Sequence, residues 1–338
     1  MEKYSQFRDR GSGIAPFFPI KSKASGIYLP IYIIIFFIKL PFIIFVTAYF
    51  ILFQWLPLGP LFKKAILWII LGTPGLWWID LQIDGVRKGS LAKKHVGRVP
   101  GPSDVIASSF ASPIDALYLA AIFDPIFTVS YPCTEKVQVV SLLGAIIKAL
   151  AKPEEFPSDN AKLTDIKTLI DKNQQRAIVV FPECTTTNGT GIMPLSPSLL
   201  MVPCTTKIFP LNLRYAPADI TTPVPGLYFS FLWNLLATPT HSIRVRIAQA
   251  VYNNSSTQMQ MKDKTLINQP DPQSRNHDKS NIHKSTVNYQ SQYRQFHSSE
   301  GRNVLDTVGE ALARLGRVQR VGLTVKDKIK FIQAWKSV

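Results

Sequence analysis

The sequence predicts an α/β domain tethered to a membrane by an apolar N-terminal helical hairpin. Three observations carry that expectation. Residues 26–58 are almost wholly apolar. From Ile79 onward, short apolar runs alternate with segments of helical period, the pattern of an α/β domain. Between residues 252 and 302 the composition turns polar, rich in Asn, Gln, Ser, Asp and Lys, and then recovers. Such a stretch cannot bury enough apolar surface to offset its ordering entropy, so a disordered insertion is expected there. The organisation read from the chain is a cytosolic segment 1–25, a membrane hairpin and interfacial helix 26–78, a domain 79–251, the insertion 252–302 and C-terminal helices 303–338.

Residues 1–25 are polar, mixed in charge and dotted with Gly and Pro. The apolar run begins too late for a signal peptide, and no small-residue cleavage site follows it. That run reads "GIYLPIYIIIFFIKLPFIIFVTAYFILFQWLPL". As one straight helix it would be about 50 Å long, against a bilayer core of about 30 Å. Lys39 and Pro41 interrupt it: a mid-membrane lysine is costly, and proline removes a helix donor. Either the run bends into a hairpin with arms Ile31–Ile38 and Phe42–Phe53, or Phe42–Leu58 spans alone. Positive residues flank it on both sides: Lys3, Arg8, Arg10, Lys21 and Lys23 before, Lys63, Lys64, Arg87 and Lys88 after. Positive flanks stay cytoplasmic, which favours the hairpin. The next segment, "FKKAILWIILGTPGLWWID", has the Lys and Trp content of an interfacial element, with a buried helix of the body as the alternative.

Along the body, "IDLQIDGV" alternates like a strand and "DVIASS" is a short strand. Ser112 to Phe123 reads as a helix, and "VQVVSLLGAIIKAL" is ambiguous by period. "AKLTDIKTLIDKN" places Leu163, Ile166 and Ile170 at helical spacing, with Asn160 as its expected N-cap. "RAIVVF", "TKIFPLNLRY" and "HSIRVRIAQA" are strands. "NVLDTVGEALARLGRV" is a helix ending near Gly316. The last helix, "TVKDKIKFIQAWKSV", puts Val325, Ile329, Ile332 and Trp335 near one face and Lys326, Lys328 and Lys330 elsewhere, and is expected to dock on the body.

The net charge of +16 calls for an anionic partner. The apolar N-terminal third makes that partner a membrane surface; nucleic acid is not expected, because no nucleic-acid motif is present. The cysteines, Cys133, Cys184 and Cys204, have neither disulfide-framework nor metal spacing, and a reducing compartment follows.

Two stretches carry the chemistry. "SSFASPID", residues 108–115, sits where a strand gives way to a helix, with unpaired backbone N–H groups facing outward. Read locally, Ser112, Pro113 and Asp115 are also an N-cap, an N1 proline and the acid of a capping box. "IVVFPECTTTNGTGIMPLSP" ends a buried strand at Phe181 and continues into a turn of hydroxyls, an amide and glycine that can cradle a phosphate.

In these residues the chain resembles the glycerolipid acyltransferases of the lysophosphatidic acid acyltransferase superfamily. That family carries His-x4-Asp at a strand-to-helix junction, and later Phe-Pro-Glu-Gly-Thr followed by Arg or Thr. Ser109 to Asp115 fits the first motif, Phe181 to Thr185 the second, and Phe209-Pro210-Leu211 a later strand. The opening "MEKYSQFRDRGSGIAPFFP" is similar to fungal members at the endoplasmic reticulum and lipid droplets. The resemblance covers residues 1 to about 250 and the C-terminal helices. It implies a mixed sheet flanked by helices, and acylation of lysophosphatidic acid or a related lysophospholipid at a cytosol-facing membrane surface. It also implies acyl-CoA as co-substrate, with no cofactor and no metal. By the same resemblance Asp115 is the catalytic residue, and Ser112, Glu183, Thr185, Thr186, Asn188 and Gly189 bind substrate.

The departures matter equally. Phe110 stands where the family has its histidine base, a group worth about 10²–10⁴-fold in rate. Cys184 replaces a glycine, Thr186 stands where many members have a phosphate-binding Arg, and the family's middle motif is not recognisable. Ser109, Cys184 and His95 are minor candidates to replace the missing base or nucleophile. The resemblance therefore leaves a slow enzyme that works by proximity and desolvation, or an acyltransferase-like lipid-binding scaffold.

Overall fold

The computed structural model describes residues 2–20, 26–53, 60–90, 97–253 and 302–336. Of the insertion expected at 252–302, residues 254–301 lie outside them, and so does His95, while Arg302 already opens a helix. The first two positions of that insertion are ordered instead: Tyr252 ends a strand and Asn253 is buried, its amide donating to the carbonyls of Leu200 and Val202.

The strands are β1 (Trp78–Ile83), β2 (Val105–Ser108), β3 (Ile126–Val129), β4 (Val137–Val140), β5 (Leu163–Thr164), β6 (Ile178–Val180), β7 (Gly191–Ile192), β8 (Lys207–Ala216), β9 (Ser242–Ile247), β10 (Val251–Tyr252) and β11 (Gln319–Arg320). The helices are α1 (Leu29–Phe53), α2 (Pro60–Gly72), α3 (Pro113–Phe123), α4 (Leu142–Leu150), α5 (Ile166–Lys172), α6 (Tyr228–Ala237), α7 (Arg302–Gly316) and α8 (Val325–Lys336). One mixed sheet runs β1-β9-β8-β2-β6-β3-β4-β5, with β10 also on β8, and β7 pairs separately with β11. The central strands β8, β2, β6 and β3 are parallel to one another, while β9 and β4 enter antiparallel.

The central strands β2, β6 and β3 are almost wholly apolar because both faces are covered. Ile106 and Val179 point into a core shared with α2, α3 and α4. Their neighbours Val105, Ala107, Ile178 and Val180 point into a second core under α5 and α7. The chemistry-bearing loops leave β2 and β6 at the same end of adjacent strands, so the topology alone brings them together.

Several elements differ from the sequence reading. Residues 137–150 divide between a strand and a helix at Ser141, whose hydroxyl caps α4 by accepting from the Gly144 N–H at 3.1 Å. The cap of α5 falls on Asp165 rather than Asn160, because Leu163 and Thr164 are taken into β5. Most consequential, the expected hairpin at 31–53 is a single helix of 25 residues that runs through Pro41. The reason is tertiary. Lys39 needs no turn to escape, because the carbonyls of Pro74, Thr238 and Pro239 accept its three protons at 3.0, 2.9 and 3.2 Å. The hairpin that does form is between α1 and α2. Tyr49 meets Phe62 near one end and Lys39 meets Pro74 near the other, so the two helices run antiparallel.

α2 satisfies both readings of its segment: Ile66, Leu67, Ile70 and Leu71 enter the core, while Leu61, Trp68 and Ile69 are exposed. The opening segment is not a free polar tail. Phe7 and Phe17 are buried against Phe331 of α8, and Tyr4 and Phe18 stack around Phe331 and Trp335. Apolar positions in a polar stretch had found a partner more than 300 residues away.

Candidate active site

The β2–α3 loop and the turn after β6 are knitted into one unit. Ser112 is the N-cap of α3 and Asp115 its reciprocal acid, a complete capping box with Pro113 in the first turn. Asp115 Oδ2 accepts from the N–H groups of Ala111 at 2.7 Å and Ser112 at 2.9 Å. Its Oδ1 accepts from the hydroxyl of Tyr215 on β8. Glu183 does for the preceding residue what Asp115 does for these two: Oε1 accepts from Phe110 N–H at 3.4 Å, and Oε2 from Met193 N–H at 3.1 Å. The two carboxylates therefore hold consecutive amides of a single loop. Thr187 N–H closes the unit by donating to Phe110 carbonyl at 2.9 Å.

Burial pushes the pKa of Asp115 up to about 7, against three donated hydrogen bonds that favour the carboxylate. It pushes Glu183 up to about 7 as well, with the neighbouring Asp115 charge adding to the rise and Lys328 opposing it. Lys328 is the residue the sequence reading missed. It was placed off the apolar face of α8; in the fold it is fully buried. Its Nζ donates to Thr185 Oγ1 at 2.8 Å, to Thr186 Oγ1 at 3.2 Å and to the Thr186 carbonyl. Desolvation lowers its pKa to about 7, and Glu183 pulls the other way. A lysine beside apolar residues on a terminal helix gives no sequence signal of a partner 143 residues upstream. Tyr215 was missed for the same reason: its alternation in β8 marks it only as a core residue.

The other predicted residues are placed as follows. Ser112 Oγ donates to the Ile220 carbonyl at 2.9 Å and Thr186 Oγ1 to the Thr222 carbonyl at 2.7 Å. Asn188 ties the turn to the N-terminal segment, donating through Nδ2 to the carbonyls of Ala15 at 2.8 Å and Phe18 at 2.9 Å. Gly189 turns the chain at φ +73°. Cys184 also sits in the left-handed region at φ +61°, so the chain keeps a glycine conformation with a side chain present. Thus Ser112, Asp115, Glu183, Thr185, Thr186 and Asn188 do converge, and most of their polar atoms bind one another or the backbone.

The open part of the site is a narrow cleft of about 30 Å³. Its floor is Phe110 stacked on Phe181, ring centroids 4.2 Å apart and planes 23° from parallel. Thr185, Ser130, Tyr131, Lys148 and Lys152 also line it. At this size it admits a water molecule or a single phosphate oxygen, not a whole headgroup. Glu154 also lines it, paired with Lys148 at 2.7 Å, and no histidine does among the described residues. Ser109 Oγ accepts from Leu213 N–H at 3.1 Å, and burial pushes the Cys184 thiol pKa well up, away from thiolate. His241, the one histidine among the described residues, is bound to Thr238 and the Leu235 carbonyl beside α6. A second cleft, of about 490 Å³, lies beyond Thr222 and is lined by Leu150, Val224, Tyr228, Phe231, Trp233 and Trp335.

Among known proteins, no family model matches the chain. Over 258 residues, 73% of this chain and 84% of the relative, it is 28% identical to a Schizosaccharomyces pombe protein provisionally named a lysophosphatidic acid:oleoyl-CoA acyltransferase. Two carboxylates, from "SFASPID" and "FPECTTTNG", holding one loop on a mixed sheet are thus the centre of a chain similar to that acyltransferase.

Proposed function

We propose that the protein is an acyl-CoA-dependent acyltransferase that converts lysophosphatidic acid, or a related lysophospholipid, to phosphatidic acid or the corresponding phospholipid. The observation that carries this reading is the coupling of the two motif loops through Glu183 and Phe110 N–H beneath the cleft that Phe110 lines. The acceptor hydroxyl would attack the thioester carbonyl of acyl-CoA, the acyl chain would move to that oxygen, and the CoA thiolate would leave with the hydroxyl proton. Phe110 cannot take that proton, so the rate rests on holding the two substrates together away from water. Asp115 would position the loop rather than reach the substrate, and Glu183, Thr185, Thr186, Asn188 and Gly189 would shape the phosphate end of the site.

The reading includes a membrane of the endoplasmic reticulum or a lipid droplet, with the domain on its cytosolic side. α1 is long and apolar enough to cross a bilayer. Its midpoint, however, is tied to the body through Lys39, and Phe36, Val46 and Phe50 pack on α6 and α2. Crossing would pull the body into the hydrocarbon, where its loops would go unsatisfied. Its outward residues Ile34, Phe37, Ile38, Phe45 and Leu52 instead form an apolar surface with Leu61, Trp68, Trp77 and Phe229, suited to one leaflet.

Phe110 and the small cleft favour a second reading, a lipid-binding scaffold without turnover. Purified full-length protein with labelled oleoyl-CoA and lysophosphatidic acid in micelles decides between them. Phosphatidic acid should form, and Asp115→Ala and Glu183→Ala should each abolish most of the turnover. Turnover unchanged in both variants sinks the site assignment, and no product from wild type leaves the scaffold. Phe110→His should raise kcat if the pocket is otherwise competent.

A further inference from the structure

The cation inside the site comes from neither motif but from the C-terminal helix. An isolated buried ammonium is expensive, and it persists only where oxygens take its protons. In its charged form, which Glu183 favours, the amine has three donors and no acceptor, so every oxygen Lys328 then touches accepts from it. For Thr186 this leaves the hydroxyl hydrogen to go to the Thr222 carbonyl. For Thr185, accepting from Lys328 at 2.8 Å fixes one side of the oxygen, and its hydrogen must leave on another. No acceptor within the protein takes it among the described residues, and Thr185 lines the narrow cleft. Lys148 and Lys152 line the same cleft, with Glu154 paired to Lys148 at 2.7 Å.

We infer that Lys328 is a positioning residue that acts through Thr185. Its ammonium turns the Thr185 hydroxyl into a donor aimed into the cleft, where it binds an oxyanion of the substrate phosphate between Lys148 and Lys152. The inference rests on the acyltransferase reading for the identity of the phosphorylated ligand, a lysophospholipid headgroup, and extends it to residues outside both motifs. It also gives α8 a role: the helix carries the cation that the motif turn lacks.

Full-length wild type, Lys328→Met, Lys328→Arg, Thr185→Val, Thr185→Ser and the Lys328→Met/Thr185→Val double variant are compared in the micellar assay. A hydrogen bond from a polarised hydroxyl to an anion predicts a KM for lysophosphatidic acid about ten- to a hundredfold higher in Lys328→Met and in Thr185→Val. The KM for oleoyl-CoA should not move with it. The double variant should be no worse than either single change, because both remove the same interaction. Thr185→Ser should restore most of the affinity and Lys328→Arg part of it. Unchanged lysophosphatidic acid KM in Thr185→Val, or effects that multiply in the double variant, overturns the proposal. Should Lys328→Met fail to fold, the near-isosteric Thr185→Val carries the decision alone. Equilibrium titration with lysophosphatidic acid separates the two claims. Wild type that binds without turnover ends the acyltransferase reading, while weaker binding by Thr185→Val still supports the Lys328–Thr185 device. Equal binding by Thr185→Val, or no binding by wild type, overturns the device.

Discussion

At the scale of single residues, the site is governed by what each side chain must satisfy. Asp115 and Glu183 are buried and kept by amide donors, so they hold a loop in shape as firmly as they hold charge. Cys184 shows the opposite tension. A non-glycine residue at φ +61° carries a backbone cost, which a thiol of modest size tolerates and a β-branched residue does not. Cys184→Val should destabilise the protein by about 1–3 kcal/mol, and Cys184→Gly should be near neutral, as denaturant melts of the two variants will show. Equal melting of both would mean that the turn relaxes and the conformation matters little. The spacing of "SPID" made the capping box and the junction legible from sequence. The partners of Asp115 and Thr185 were not, because Tyr215 and Lys328 are brought in by distant strands and helices.

At the scale of elements, α1 and α8 carry the lessons. Pro41 and Lys39 look like hairpin punctuation in a chain read alone. Their meaning changed because three carbonyls from two separate loops converge on one ammonium. Lys39→Leu removes the donor those carbonyls accept from and should loosen α1 from the body. Limited proteolysis in detergent should then release residues preceding the α1–α2 turn faster than in wild type, while α3 and the central strands stay protected. Identical cleavage would show that Phe36, Val46 and Phe50 hold the helix unaided. Strands β2 and β6 were legible because short continuous apolar runs mark a doubly covered sheet, and β9 because its apolar residues alternate with Arg244 and Arg246. The division of residues 137–150 and the cap at Asp165 were not, since each depends on strand pairing through β4 and β5.

At the scale of the whole molecule, the two ends of the chain close over the motif turn. The N-terminal aromatics pack on Phe331, Asn188 binds the backbone of residues 15 and 18, and Lys328 reaches in from the same helix. Phe331→Ala empties the centre of that cluster and should cost about 3–5 kcal/mol of stability. It should also raise the KM for lysophosphatidic acid in the way Lys328→Met does. A stability loss with KM unmoved would show that the closure supports the fold without serving the site.

The sequence by itself determined the α/β pattern, the apolar N-terminal run and the two motif loops, which reside in composition, local period and short spacing; that Phe110 stands in place of a base is what the family resemblance implies. Tertiary structure alone decided that α1 is unbroken, that Phe7 and Phe17 of the opening segment are core, and that a lysine from the last helix sits among the motif threonines. Those outcomes depend on which distant groups satisfy a buried charge or cover an apolar ring, and hydrogen-bond satisfaction of that kind leaves no periodic trace along the chain.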